Sequence, residues 1–327
     1  GDTTSPSSVG RAEAQARIFD AGAMVEEPFA GGRGSALVAA RYSYTQALLS
    51  LVAPDYELGY WDYQARLAYR LSSKDRVMLF GFGAFDHLRN KARGQTLFDV
   101  QFHRLDLRWD HSTAEGSVRL AVTLGVDDRL NANEGDPGPS ASSKTRQIGV
   151  RLEADQRLSR ELRFRAGFDT QLEGYDAENE RRGQALLVVP ARTDGNLGLF
   201  ADVSLRPERG FEIVPGLRLD ISRSRGETLI FPEPRLATRA RIGSGFAWLS
   251  GFGLAHQLPS YRVYVPGGPP GPLELGVQRS YQATEGIELA LPESMYARVS
   301  AFHTLSLIHI SEPTRLRRIS YAVFCLK

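Results

Sequence analysis

The side chains that could do chemistry are few and scattered. The six histidines are at positions 87, 103, 111, 256, 303 and 309, and no two have the spacing of a helical metal site. The sequence contains neither HExxH nor the GxSxG turn of a serine hydrolase. The single cysteine, Cys325, allows no internal disulfide and no thiolate metal cage. We therefore expect no enzyme, no catalytic residue, no metal site and no cofactor.

Two further patterns contain residue types that could bind a ligand. The glycine-rich stretches at 31–35, 81–85 and 250–254 match neither a phosphate loop nor GxGxxG between a strand and a helix. The stretch 127–136 carries oxygen ligands that a calcium ion could use, namely Asp127, Asp128, Asn131, Asn133, Glu134 and Asp136. It lacks the spacing of the twelve-residue calcium loop, so a solvated loop is the favoured interpretation and calcium binding the alternative.

Charge and hydropathy narrow the class of protein. The 327 residues hold 40 Lys and Arg against 38 Asp and Glu, a formal net charge of +2, so no global field attracts nucleic acid. No apolar run approaches the roughly 18 to 20 residues of a membrane helix. A membrane-spanning β-barrel is still compatible with this composition, because its strands are apolar at only every second residue.

Alternation of apolar and polar residues with a period of two dominates the chain. The strands that this pattern predicts must position the histidines and acidic residues named above. In residues 117–127 the even positions are Val or Leu, whereas the odd positions include Arg119, Thr123 and Asp127. A strand places such residues on two opposite faces, whereas a helix would spread them around its circumference. The alternation predicts fourteen strands, near 16–26, 35–46, 58–71, 76–87, 97–110, 117–128, 146–157, 162–173, 195–206, 211–223, 233–242, 246–257, 280–291 and 295–304.

The predicted connections alternate between short and long. Short turns are expected at 72–75, 111–116, 158–161, 207–210, 242–245 and 291–294, and long loops at 47–57, 88–96, 129–145, 174–194, 224–232 and 258–279. An up-and-down antiparallel sheet places every second connection at the same end. We therefore predict an all-β fold, a transmembrane antiparallel up-and-down β-barrel fragment. In residues 97–109 the alternation of apolar and polar residues shifts by one position between Phe102 and His103, which predicts a β-bulge. Pro215 occupies an apolar position of the strand 211–221, which predicts an edge strand or another bulge there.

One face of this predicted sheet is apolar and the other is rich in charged residues. On the charged face Arg119, Arg163, Arg165, Arg239 and Arg241 alternate with acidic residues, and cross-strand ion pairing is favoured over specific substrate recognition. A β-propeller is disfavoured because no internal repeat is present, and a sandwich because its Greek-key crossovers would interrupt the meander. Tyr and Trp near strand ends fit the headgroup level of a bilayer, although both are also good strand formers.

A family resemblance emerges in residues 250–304. SGFGLAHQLPS (250–260) and a Pro/Gly-rich loop are followed by a strand with Ser280, Tyr281, Gln282, Gly286 and Glu288. This region resembles the barrel of TonB-dependent outer-membrane receptors, and 28–44 and 60–71 look like hairpins of the same barrel. The resemblance implies a barrel of about 22 strands with a plugged lumen. It also implies a Gram-negative outer-membrane location and TonB as a partner through a plug and TonB box, neither of which is in this sequence.

From this resemblance we expect residues 16–304 to be part of the barrel, with 1–15 an N-terminal segment of uncertain boundary, and the chain to be truncated at both ends, with no signal peptide in view. The expected function is TonB-coupled uptake of an unidentified small ligand, with outer-membrane lipid as a further partner and no nucleic acid. Alternatives are a passive porin-like or other outer-membrane β-barrel and a soluble secreted β-rich binding protein. In the longest loop, Tyr261, Arg262 and Tyr264 are chemically suited to ligand contact.

The last 23 residues break the pattern. The runs LSLIHISEPTR and ISYAVFCLK resemble a translated sequencing adapter, with 316–318 at the position of an index barcode. The alternative is a genuine apolar strand at 319–326. We interpret 305–327 as a non-native tail and expect the authentic sequence to end near Thr304.

Overall fold

The computed structural model describes residues 7–132, 140–181, 184–185, 189–243, 245–258, 273, 276–290, 295–307 and 323–326. Within these ranges the chain forms one antiparallel sheet of 17 strands and one α-helix, α1 (Thr45–Val52). The strands are β1 (Arg11–Ala16), β2 (Asp20–Phe29), β3 (Gly34–Ser43), β4 (Tyr56–Arg70), β5 (Asp75–Asn90), β6 (Gln95–Ser112), β7 (Gly116–Ala132), β8 (Ser140–Arg157), β9 (Leu162–Arg181), β10 (Gln184–Ala185), β11 (Val189–Leu205), β12 (Phe211–Ser224), β13 (Glu227–Ile242), β14 (Phe246–Gln257), β15 (Gln278–Ala290), β16 (Tyr296–Leu307) and β17 (Val323–Leu326).

The topology is an up-and-down meander. Each strand from β1 to β9 pairs with the next one, β9 pairs with both β10 and β11, and pairing then continues in order to β17. Among the described residues no ladder joins β1 to β17, so the sheet is open. Because every pair is antiparallel, the connections fall alternately at two ends, as the sequence predicts.

The fourteen predicted strands are confirmed as β2–β9 and β11–β16, but several predicted long loops are wrong. Most of 88–96, 174–194 and 224–232 is strand, and the β12–β13 connection shrinks to the two-residue turn Arg225–Gly226, with both φ angles positive (52° and 89°). Such a turn suits a tight hairpin. In 174–181 polar and charged residues lie on both faces, whereas in 227–232 the consecutive Leu229, Ile230 and Phe231 place apolar residues on both faces. In both segments the alternation that reveals a strand in the sequence disappears although the ladder continues.

The segment 47–57, expected to be a loop, contains most of α1. Gln46 at the start of this helix anchors it to β4, because its amide nitrogen donates to the Tyr56 carbonyl (3.2 Å) and its amide oxygen accepts from the Leu58 N–H (2.6 Å). Leu51 and Val52 at the end of the helix are exposed. Among the described residues no helix is long and apolar enough to cross a membrane.

The predicted bulge between Phe102 and His103 is wrong. The β5–β6 register is continuous there and shifts instead between Leu88 and Arg89, where Leu97 is the extra residue. The sequence suggests a slip because the residue types on each face of β6 change along the strand. The side chains themselves continue to alternate between the two faces without interruption. Leu105 and Leu107 occupy the same face as Gln101 and His103, so that face turns from apolar to polar along an unbroken strand.

Pro215 also behaves differently from the prediction. It lies in β12, an interior strand, with no shift of register. The β11–β12 ladder pairs Asp202 with Gly216 and then Leu205 with Ile213, and no pair is formed between them. Proline has no N–H to donate, so the ladder is interrupted locally rather than displaced.

The end of the sheet that carries the tight turns, here called the short-turn end, is held by a repeated backbone hydrogen bond. In each case the carbonyl oxygen of the last residue of a tight turn accepts a hydrogen bond from a backbone N–H of the adjacent strand. The donor lies at or next to the point where that strand reaches the short-turn end. The donor and acceptor pairs are Arg70 to Arg33, Ser112 to Lys74, Arg157 to Glu115, Arg206 to Glu161, Arg241 to Gly210 and Ala290 to Gly245, all at 2.7 or 2.8 Å. The opposite end, here called the extended end, carries the 44–55, 91–94 and 225–226 connections.

Candidate functional site

The two faces of the sheet differ in chemistry. We call the polar face the one that holds Arg66, Arg104, Arg165 and Arg218, and the apolar face the one that holds Leu67, Leu107, Leu124 and Leu217. The four leucines on the apolar face are 46–55% exposed, so this face is not covered within the chain. A sheet this wide therefore lacks an apolar core of its own and must meet an apolar surrounding.

Ion pairs cover the polar face, as the cross-strand interpretation predicts. Arg119 lies opposite Asp110 and Glu153 in the two adjacent ladders and pairs with Asp110 at 2.5 Å. Arg41 and Asp62 are also directly opposite each other, at 2.6 Å. Other pairs join neighbouring strands diagonally, namely Arg104–Asp127, Arg163–Asp155 and Arg165–Glu153, and Arg239 reaches Glu288 across β14. The alternation of charge along each strand therefore serves to neutralise the polar face.

A buried carboxylate stands on the polar face near the short-turn end. Glu26 is 0% exposed and pairs with Arg66 at 2.6 Å and with Arg11 at 2.7 Å. The Ser35 hydroxyl donates to it at 2.7 Å and the Ser7 backbone N–H at 2.9 Å. A buried charge is tolerated only when it is paired and hydrogen-bonded, and this cluster meets both conditions. It ties residues 7–11 to the polar face of β2–β4.

The extended end of the polar face carries a second enclosed polar cluster. Arg192 stacks on the Tyr175 ring, with its guanidinium carbon 4.2 Å from the ring centroid, and pairs with Asp194 at 2.7 Å. Tyr175 and Asp194 are 2% and 3% exposed, and Ser224 donates to Asp194 from β12. Burial raises the pKa of the Tyr175 hydroxyl, so the ring stays neutral. This is the candidate functional site.

The cluster is assembled from three strands whose residues are far apart in sequence. Tyr175 lies on β9 directly opposite Arg192 on β11, and Asp194 follows two residues later on the same face. Sequence analysis missed it. The available signal was the Arg–Asp pair at 192 and 194, which a strand places side by side, but the segment was read as a loop.

Chemically, this cluster offers binding rather than bond-making. It combines an aromatic ring, a guanidinium and a carboxylate, and among the residues described no group of three or more His, Cys, Asp or Glu is arranged to hold a metal ion. Asp127 and Asp128 of the acidic stretch lie on opposite faces, where they pair with Arg104 and Lys144 respectively. The predicted ligand contacts Tyr261, Arg262 and Tyr264 lie outside the described residues.

Two carboxylates at the short-turn end are perturbed by hydrogen bonds. Asp75 accepts from the Ser72 hydroxyl at 2.6 Å and contacts His111 Nδ1 at 2.7 Å, and these contacts lower its pKa, the serine bond most. The pKa of Glu212 is lowered by hydrogen bonds from Ser204 and Arg206. Both groups fix turns at the short-turn end.

The apolar face carries a band of apolar residues between the two ends of the sheet. On β7 it consists of Val118, Leu120, Val122, Leu124 and Val126, which span about 26 Å along the strand at roughly 3.3 Å per residue. Aromatic residues flank the band. Trp61 stacks on Tyr63 toward the extended end, whereas Trp109 and Trp248 lie near the short-turn end. An apolar band with aromatic residues at both ends is typical of the outer surface of a transmembrane β-barrel, whose tilted strands cross an apolar layer about 25 Å tall.

Comparison with known proteins supports this class. No protein-family model and no curated protein sequence matches the chain. Solved structures do match: the copper transporter OprC, at 15% identity and a TM-score of 0.71, covers 92% of this chain and 55% of its own. A mutant form of the ferric enterobactin receptor PfeA of Pseudomonas aeruginosa matches at 13% identity and a TM-score of 0.70, over 91% of this chain and 51% of its own. The alcaligin outer-membrane receptor FauA of Bordetella pertussis matches at 13% identity and a TM-score of 0.65, over 99% of this chain and 57% of its own.

These similarities define the fold. The chain has the fold of the barrel wall of TonB-dependent outer-membrane receptors, which confirms the resemblance implied by residues 250–304. It spans about half the length of the solved structures that it matches.

Proposed function

We propose that this chain forms part of the barrel wall of a Gram-negative outer-membrane receptor that imports a small ligand. The observation that carries this proposal is the contrast between the two faces of one sheet. The apolar face is exposed over a band of bilayer height, and the polar face is neutralised by its own ion pairs. A barrel that turns the first face to lipid and the second to a wet lumen satisfies both.

The cluster of Tyr175, Arg192 and Asp194 marks the ligand-binding end in this proposal. An aromatic ring beside a guanidinium suits a ligand with anionic or aromatic groups. The loop residues Tyr261, Arg262 and Tyr264 lie in sequence between β14 and β15, whose connection is at the same end of the meander, and they are proposed as further contacts. The similar solved structures are those of a copper transporter and of receptors for ferric enterobactin and alcaligin, which favours a metal ion or metal chelate.

Energy-dependent import through TonB is the finer part of the proposal. It is tested by expressing the full-length protein in a strain without its own receptors and measuring accumulation of ⁵⁵Fe-enterobactin, ⁵⁵Fe-alcaligin and copper, with and without TonB. We expect one of these probes to accumulate only when TonB is present. Equal accumulation without TonB would instead establish the passive, porin-like alternative.

Membrane location has its own test, which also excludes the soluble alternative. Leu105→Cys and Gln101→Cys are made in a Cys325→Ser background, since both positions share the apolar face of β6 but lie on either side of its change from apolar to polar. In isolated outer membranes we expect a lipid-dissolved quencher to reach a fluorophore at 105 and an aqueous maleimide to label 101. Recovery of the protein in the soluble fraction, or equal aqueous labelling at both positions, would contradict this location.

A further inference from the structure

Three arginines stand on the apolar face where its apolar band ends. Toward the extended end, the next residue on that face is Arg146 after Ile148 on β8, Arg223 after Ile221 on β12, and Arg279 after Tyr281 on β15. Their heights agree when counted from the short-turn ends of their strands. Arg146 is 11 residues from Arg157, Arg279 is 11 residues from Ala290 and Arg223 is 12 residues from Phe211. All three side chains are exposed.

These arginines differ from those of the polar face in having no acidic partner. Within the described part of the chain none of them forms a hydrogen bond or ion pair through its side chain. On the polar face, by contrast, Arg119, Arg165 and Arg218 each hold at least one carboxylate within 3.0 Å. The protein therefore neutralises its inward arginines and leaves this outward set uncompensated.

The cross-strand neighbours show why these cations have no partner. Arg146 lies between Val126 and Gly174, and Gly195 is next to Arg223 on β11. Arg279 lies opposite His256 on β14. None of these neighbours is a carboxylate. The nearby Asp128 is already occupied by Lys144 at 3.6 Å.

We propose that Arg146, Arg223 and Arg279 bind phosphate groups of the lipid leaflet that surrounds the extended end of the barrel. This inference rests on the proposed membrane location. Two features favour a lipid headgroup as the occupant: the guanidinium groups stand at the edge of the band that contacts acyl chains, and their charge is uncompensated. Arginine presents paired N–H donors that match phosphate oxygens, and such pairs are strongest where one side is shielded from water.

The test uses the full-length protein in a zwitterionic detergent and native mass spectrometry. The probes are lipid A with two phosphate groups, the same lipid with both phosphates removed, and inorganic phosphate. The R146Q/R223Q/R279Q variant is expected to bind the phosphorylated lipid at least tenfold more weakly than the unsubstituted protein, and the dephosphorylated lipid equally well. The matched control, R157Q/R160Q/R209Q, removes three exposed arginines at the short-turn end and is expected to bind like the unsubstituted protein.

Each other outcome overturns the proposal in a recognisable way. Equal weakening in both triple variants would mean a general effect of charge. Displacement of the lipid by millimolar inorganic phosphate would mean a free-anion site, and equal binding of both lipids by the unsubstituted protein would exclude phosphate recognition. If the unsubstituted protein binds neither lipid, the membrane location itself fails. Folding is checked separately: in the dephosphorylated lipid both triple variants are expected to melt at the same temperature as the unsubstituted protein.

Discussion

Arg218 on β12 reaches Asp169 on β9 by passing over Gly198 of the intervening strand, and its two guanidinium nitrogens bind the two carboxylate oxygens at 2.7 and 2.8 Å. Gly198 lies opposite Asp169 in one ladder and opposite Asp220 in the other, and Arg218 also binds Asp220. A Cβ at position 198 would overlap with the guanidinium. The absence of a side chain therefore creates the path for an ion pair across three strands.

Gly198→Ala is expected to destabilise the protein because its methyl group displaces Arg218 from both carboxylates. Loss of charge-assisted hydrogen bonds in this partly exposed position costs about 1–2 kcal/mol in the free energy of unfolding. Urea unfolding in detergent micelles measures the change. The matched control is Gly253→Ala on the same face, where a Cβ meets nothing within 4 Å and the change stays within about 0.5 kcal/mol. Equal losses in both variants would disprove the role of Gly198.

Asp75 predicts a pH-dependent contribution from the short-turn end. Its pKa is lowered, mainly by the Ser72 hydroxyl and then by His111, so the ionised form is favoured in the folded state. This contribution is present above the ordinary aspartate pKa and is lost as the pH falls through the lowered value. The melting temperature of Asp75→Asn is therefore expected to lie below that of the unsubstituted protein at pH 7, and the difference is expected to vanish near pH 2. A difference independent of pH would contradict this account.

The pair Arg192–Asp194 predicts an asymmetric response to mutation. Arg192→Met leaves the Asp194 carboxylate buried with only Ser224 beside it, and such an uncompensated charge costs about 3–5 kcal/mol. Asp194→Asn keeps the stack of Arg192 on Tyr175 and a hydrogen-bonding oxygen, so a smaller loss is expected. Chemical denaturation of the two single variants and the double variant gives the coupling energy. Equal losses in the two single variants would argue against a buried charge as the cause.

The sequence predicts the strands wherever the two faces differ. β7 and β14 illustrate this, because Val and Leu alternate with polar residues in the first and the observed bounds of the second, Phe246–Gln257, equal the predicted 246–257. The extensions of β9 and β11 toward the extended end, 174–181 and 189–194, were missed because few of their residues are apolar and no apolar face marks them. Tyr175, Arg192 and Asp194 of the candidate site lie in those extensions. Its residues are brought together by ladder register, which alternation within a single strand does not specify.

The identity of residues 305–327 stays a prediction. β16 extends to Leu307, and Val323–Leu326 pairs with β16, but an apolar tetrapeptide beside an open strand edge pairs readily whatever its origin. The tail holds Arg315, Arg317, Arg318 and Lys327 against Glu312, so its removal changes the formal net charge from +2 to −1. We expect amplification and sequencing of genomic DNA across Thr304 to show further alternating strand sequence in place of this run. Persistence of the run in genomic DNA would disprove the adapter interpretation.

Glu285 and Glu288 on β15 predict opposite effects of the same substitution. Glu285 is exposed on the apolar face, inside the band, and accepts a hydrogen bond from Ser250 at 2.7 Å. Glu288 is on the polar face and pairs with Arg239 at 2.8 Å. A carboxylate facing lipid near the middle of the band is unfavourable, by less than the roughly 2–4 kcal/mol measured for basic residues. Glu285→Leu is therefore expected to raise the free energy of unfolding in lipid vesicles by about 1 kcal/mol.

Glu288→Leu is expected to lower the free energy of unfolding, because it removes the carboxylate that neutralises Arg239 and places an apolar side chain on the polar face. The cost is about 1–2 kcal/mol, since Arg239 is 38% exposed and water replaces part of the lost interaction. Urea unfolding in vesicles of one lipid composition compares the two variants directly. Effects of the same sign would contradict the assignment of the two faces, because only a sheet with lipid on one side and a polar interior on the other separates two glutamates three residues apart in this way.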